Sequence, residues 1–188
     1  MTVAMNYTPG KSGMDPRRLE ASLTRTLQGG GSLRRRFAAG TERMDITWVT
    51  GRIAVGGGIW HAENMAKVAA AGVTHVIDMQ IEFDDTALGK QAGVVVLWNP
   101  TDDDFTPKPP DLFERGVKFA RNALDEEGTK LFIHCAAGIH RAPMMALAVL
   151  GSLGWTVKAG IELIEAKRPV VDFVGVYVES VKRYLEKN

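Results

Sequence analysis

From Ile46 onward the apolar residues of this 188-residue chain alternate between two patterns. Short continuous runs signal strands, and stripes three or four positions apart signal amphipathic helices. Residues 46–49 and 52–55 predict two short strands, closed by Gly56-Gly57-Gly58. Residues 61–71 predict a helix with Met65, Val68 and Ala69 on one face and Gly72 as its stop. Residues 73–79 and 94–98 are near-continuous apolar runs, the pattern of buried central strands. Beyond a loop rich in Pro and Asp (99–110), residues 111–125 place Phe113, Val117, Ala120 and Leu124 at helical spacing. Leu131-Phe132-Ile133 predicts a buried strand that runs straight into His134-Cys135. Three helices follow, over 142–153, 157–166 and 174–185, the first apolar on nearly every side and therefore expected at the centre. The alternation predicts an α/β fold: a central, mostly parallel sheet of about five strands with helices on both faces.

Residues 1–43 break this pattern and predict a separate, partly flexible extension. Asp15-Pro16 reads as a helix start, with Leu19, Leu23 and Leu27 following at spacing four before Gln28-Gly29-Gly30-Gly31-Ser32 ends the element. This segment holds eight Lys/Arg against three Asp/Glu, whereas residues 44–188 hold fifteen against nineteen. The net charge of +1 thus resolves into a basic arm, suited to an acidic partner, and a mildly acidic body. Gly10-Lys11-Ser12 lacks the earlier glycine of a nucleotide-binding loop, since Met5 stands in its place. Gly56-Gly57-Gly58 opens no dinucleotide fingerprint either.

Composition narrows the chemistry. The chain is 45% apolar and 24% charged, as a folded domain is. Its longest uncharged stretch, 142–157, contains Pro143, Gly151, Ser152 and Gly154 and is too short for a membrane span. The N-terminus has no apolar signal region, so a cytoplasmic protein is expected. The single cysteine, Cys135, excludes a disulfide framework and a multi-cysteine zinc site. His61, His75, His134 and His140 form no His-x-x-x-His pair. No metal and no cofactor are expected, and nucleic acid is not an expected partner.

The informative segment is His134-Cys135-Ala136-Ala137-Gly138-Ile139-His140-Arg141. A strand ends at a cysteine, five residues make a tight loop, and an arginine opens a helix. Amides over 136–141 can converge as an anion nest, with Gly138 supplying a positive φ. The helix behind them turns its positive end to the same point, and Pro143 in its first turn costs no hydrogen bond. Arg141 adds a planar fork for two phosphate oxygens. The same field favours the Cys135 thiolate, placed for in-line attack on a bound phosphoryl group. As a chance arrangement around a small buried residue this combination is improbable.

His134-Cys135-x-x-Gly138-x-x-Arg141 resembles the active-site signature of the cysteine-dependent protein tyrosine phosphatases, in their compact dual-specificity branch. The resemblance spans about residues 44–186, so 44–188 is expected to be a phosphatase domain. It implies a phosphomonoester hydrolase with Cys135 as nucleophile, Arg141 as clamp, and Ala136, Ala137, Gly138, Ile139, His140 and Arg141 as phosphate cradle. It also implies a phosphocysteine intermediate and a general acid on a mobile loop. Asp102, Asp103 and Asp104 offer that acid. Counting from Pro100 favours Asp103, whereas matching Asp-Phe-Thr favours Asp104, and both stand as candidates.

The sequence departs from the family at Ala142, where Ser or Thr usually follows the arginine. Plant starch phosphatases share Arg-Ala-Pro here, which adds phosphoglucan to the phosphorylated proteins and small phosphomonoesters expected as substrates. The other classes to weigh are a pseudophosphatase that binds phosphate without turnover and a rhodanese-like sulfur carrier. His134 is expected to orient the loop, and His140 to pack at its rim or to reach the substrate. Trp60, Trp98 and Phe105 are expected in the core, with the mouth of a pocket as the alternative.

Overall fold

The computed structural model describes residues 44–187; the helix and basic stretch read in residues 1–43 lie outside them. The element order is β1 (Ile46–Trp48), β2 (Ile53–Gly56), α1 (Ala62–Ala70), β3 (His75–Asp78), α2 (Thr86–Ala92), β4 (Val95–Trp98), α3 (Pro110–Asp125), β5 (Leu131–His134), α4 (Arg141–Ser152), α5 (Val157–Lys167) and α6 (Gly175–Leu185). The five strands form one sheet in the order β1-β2-β5-β3-β4, parallel except for the antiparallel β1–β2 pair.

Side-chain alternation along the strands divides the core between the two faces. Ile53, Val55, Ile77, Leu131 and Ile133 pack with Leu112, Phe113, Val117, the buried length of α4, and Tyr177 and Val181. Ala54, Val76 and Phe132 point the other way, to Met65 and Val68 of α1. Residues 142 to 150 of α4 are all buried, as the apolar sequence requires.

Two elements differ from the sequence reading. The run 94–98 is the edge strand β4, with Val95 52% and Trp98 41% exposed, so it is not a buried central strand. Its apolar character serves packing on α2, a helix the periodicity does not reveal because it has seven residues with Gly89 among them. That glycine lets the helix touch the strand: a Cβ there would fall 2.2 Å from Val96 Cγ2. Trp60, Trp98 and Phe105 are exposed at 40%, 41% and 55%, and none belongs to the core.

Register fixes where chemistry can sit. Gly56, His134, Asp78 and Trp98 form one row across β2, β5, β3 and β4, the last paired row at the carboxyl ends of the strands. Cys135 is the next residue beyond that row. In open α/β sheets this end, where consecutive strands part to admit another, is the ligand crevice.

Candidate active site

The loop after β5 has its carbonyls turned outward by identifiable partners. Gly58 N–H donates to Ala136 O at 3.1 Å, and Asp172 N–H to Ile139 O at 3.1 Å. Arg168 donates from Nε to Gly138 O at 2.9 Å and from Nη2 to Ala137 O at 3.3 Å. A trans peptide sets N–H opposite to C=O, so the amides of residues 137–140 point away from these partners, as a cradle must. Gly138 takes φ +65, where a Cβ would strike Gly56 C and O at 2.4 Å. No larger residue fits this turn.

Arg168 does more than cap two carbonyls. Its guanidinium is buried and grips both carboxylate oxygens of Asp45 at 2.6 Å, with Thr47 Oγ1 at 3.1 Å. The chain ahead of β1 and the turn after α5 thus brace the back of the cysteine loop.

Cys135 is buried at the loop's start, and Arg141 opens α4 at its end. Glu82, on the β3–α2 loop, accepts from Arg141 Nη1 at 2.9 Å and from Nη2 at 2.7 Å, and Thr101 O accepts from Nη1 at 3.1 Å. Nε makes no hydrogen bond among the described residues, and Nη2 makes one of its two possible bonds. The unspent pair, Nε–H and one Nη2–H, lies along one edge of the guanidinium and matches two oxygens of a phosphoryl group. Burial works against the Arg141 charge. The Glu82 hydrogen bonds and the neighbouring charges of Cys135, Glu82 and Asp103 outweigh it and hold the group above its ordinary range. Glu82 is drawn below the usual carboxylate range, chiefly by the same hydrogen bonds.

The structure separates the aspartates of the 99–110 loop. Asp103 Oδ2 lies 3.8 Å from Arg141 Nε and accepts from His140 Nδ1 at 3.0 Å, while Tyr177 Oη–H donates to Oδ1 at 3.2 Å. Asp104 is turned to the Lys108 ammonium at 2.5 Å and the Thr106 hydroxyl at 2.8 Å. Those hydrogen bonds, Lys108 first, keep its carboxyl well below the usual range. Asp102 is exposed, and its carbonyl lies 3.5 Å from Tyr177 Oη. Tyr177 is pushed up to about 12, by burial first, so its phenol remains a donor at neutral pH.

Beneath the cysteine, His134 is fully buried and its Nε2 lies 3.0 Å from Asp85 Oδ2 and 3.7 Å from Asp78 Oδ1. The ring is therefore fixed from the β3–α2 loop. Asp78 is raised to about 8 by its own burial and by the charge of Asp85. A carboxyl that keeps its proton lets two buried acids sit together beside one imidazole. A groove of about 700 Å³, lined by Arg121, Trp155 and Tyr184 among others, shares no residue with this site.

Residues 58–184 match the family described as dual specificity phosphatase, catalytic domain. The chain belongs to that family. Among curated relatives, bovine protein tyrosine phosphatase type IVA 3 is 31% identical over 126 residues, 66% of this chain and 68% of the relative. Rat dual specificity protein phosphatase 5 is 32% identical over 116 residues, 61% of this chain and 29% of the relative. Mouse laforin is 32% identical over 123 residues, 53% of this chain and 36% of the relative. The fold is shared with the crystal structure of PTPMT1 in complex with PI(5)P, at TM-score 0.67 and 23% identity over 76% of this chain and 95% of that one. Human DUSP28 superposes at TM-score 0.64 with 20% identity, over 76% and 94% of the two chains. The protein is accordingly a phosphatase of the cysteine-dependent tyrosine and dual-specificity type. Among the described residues no helix is long and apolar enough to cross a membrane.

Sequence reasoning singled out Cys135, Gly138 and Arg141, but not the groups that the structure sets around them, Glu82, Asp45, Arg168 and Tyr177. Glu82 stands 59 residues from Arg141, and Asp45 stands 123 from Arg168. No local signal marks them: a cation at a helix end before a proline, as Arg168 is, is ordinary in sequence.

Proposed function

We propose that this phosphatase works by two displacements through a phosphocysteine. The substrate phosphoryl group enters the cradle of residues 136–141, and two of its oxygens take the free edge of Arg141. Cys135 Sγ attacks phosphorus in line while the ester oxygen leaves with a proton from Asp103. Water then attacks phosphorus, giving up a proton to the Asp103 carboxylate, and the sulfur departs as thiolate. One observation carries this reading: Arg141 is anchored by Glu82 with its Nε edge free of hydrogen bonds, and Asp103 Oδ2 stands 3.8 Å from that Nε.

Asp103 is favoured over Asp104 because a general acid must reach the leaving oxygen, and Asp104 is committed to Lys108 and Thr106. Residues 44–188 constitute the phosphatase domain, and the basic segment 1–43 serves an acidic partner or substrate. Phosphorylated protein side chains are the leading substrates. The test pairs Asp103→Asn with Asp104→Asn on phenyl phosphate, whose leaving group needs a proton, and on an activated nitrophenyl ester, whose leaving group needs little help. Asp103→Asn should cost about 100-fold on the former and far less on the latter, with Asp104→Asn near wild type on both. The reverse order would assign the acid to Asp104.

A further inference from the structure

The carboxyl of Asp103 is held at both oxygens, and one holder belongs to the cysteine loop itself. His140 immediately precedes Arg141, and its Nδ1 lies 3.0 Å from Asp103 Oδ2. Tyr177, from α6, donates to Oδ1 at 3.2 Å. Phe105 closes the arrangement. Its ring stands edge-on to the imidazole (centroids 5.4 Å, 69°) and stacks on Tyr177 (6.2 Å, 16°). Its backbone sits at φ +56, left-handed for a bulky residue, and its N–H donates to Tyr177 Oη at 3.1 Å. A conformation disfavoured by sterics persists only where surrounding contacts over-determine it. The other charged groups facing His140 are Asp172, whose Oδ2 is 3.7 Å from Nε2, and Arg141, whose Nε lies 3.8 Å from the shared Asp103 oxygen.

We propose that His140 is a positioning residue, latching the Asp103 loop over the phosphate cradle before substrate arrives. This rests on reading Asp103 as the general acid. Each carboxyl oxygen has two lone-pair directions, so one donor apiece leaves room for the proton that Asp103 delivers. A free loop would have to close on every turnover, whereas a latched acid is already placed when the ester enters. The latch joins the two parts that must act together, because His140 is one residue from the arginine that binds the phosphoryl group.

The test compares His140→Ala, His140→Asn, Asp103→Asn and the Asp103→Asn/His140→Ala double variant. Each is assayed on phenyl phosphate and on the activated nitrophenyl ester, with inorganic phosphate as competitive inhibitor. His140→Ala should lose about tenfold more kcat on phenyl phosphate than on the activated ester. His140→Asn, which keeps an N–H near the position of Nδ1, should recover most of that difference. In the Asp103→Asn background, His140→Ala should no longer discriminate between the two esters. Equal losses on both esters, or a loss that tracks weakened inorganic phosphate binding, would overturn the latch and make His140 a loop-packing residue. If Asp103→Asn itself fails to discriminate the esters, the acid assignment falls and the latch with it. If Asp103→Asn discriminates and His140→Ala does not, the latch alone falls.

Discussion

At position 142 a methyl group stands where the family usually carries a hydroxyl. Ala142 is buried as the second residue of α4, directly after Arg141, so a serine there would extend a donor from the first turn of the helix. A hydrogen bond to a charged leaving sulfur is worth about 1.5–3 kcal/mol, so Ala142→Ser should speed breakdown of the phosphoenzyme by about tenfold or more. Wild type should show a pre-steady-state burst of the released phenol that the variant loses. No burst in wild type, with the same steady rate in both, contradicts this. A second residue governs stability with pH. Folding raises Asp78 to about 8, through burial and the Asp85 charge, whereas an unfolded aspartate gives up its proton near pH 4 (about 3.9). The folded state binds the extra proton between those values, so this group's contribution is complete below about pH 4 and is lost as the pH rises through about 8. Asp78→Asn keeps an acceptor for the Gln80 N–H at 2.8 Å and removes the ionisation. Its Tm should decline less than that of wild type between pH 5 and 8 (roughly the interval between the two values); parallel declines would refute the assignment.

Among the elements, the turn after α5 matters beyond its length because Arg168 ties the cysteine loop to Asp45. Arg168→Met keeps most of the side-chain volume but leaves two loop carbonyls and a carboxylate without their donor. It should lower the unfolding free energy by about 1–3 kcal/mol in denaturant titration and weaken inorganic phosphate inhibition in parallel. Unchanged phosphate inhibition would show that the loop keeps its shape without the brace. The strands, α1 and the four later helices were legible within a residue or two. Amphipathic helices such as α3 bury one face and mark the other with polar residues, whereas β2, β5 and α4 are continuous apolar runs buried along nearly their whole length. The exceptions have physical causes. In α2, Gly89 is kept for close approach to β4, against its poor helix propensity. In β4 Leu97 and Val96 pack on opposite faces while Val95 and Trp98 stay exposed, and continuous apolarity cannot tell such an edge strand from a fully buried central one.

For the whole molecule, the sheet order decides what can meet. Inserting β5 between β2 and β3 brings Gly56, His134 and Asp78 into one row, with the cysteine loop just beyond it. The loop's own residues were legible because the signature is contiguous in sequence. Its anchors were not, because Asp45, Glu82, Arg168 and Tyr177 reach it from four separate segments that only the fold assembles. His140 illustrates the difference: sequence left it at the loop rim or on the substrate, and the fold places Asp103 against it. All of these contacts converge on one chemical claim, that phosphorus passes through sulfur. The most direct test is rapid acid quench of the enzyme during turnover of an aryl phosphate, followed by peptide mass spectrometry. The account predicts one phosphoryl group per chain on Cys135, and neither phosphopeptide nor turnover in Cys135→Ser. Continued hydrolysis by Cys135→Ser, or phosphate trapped on another residue in wild type, would contradict it.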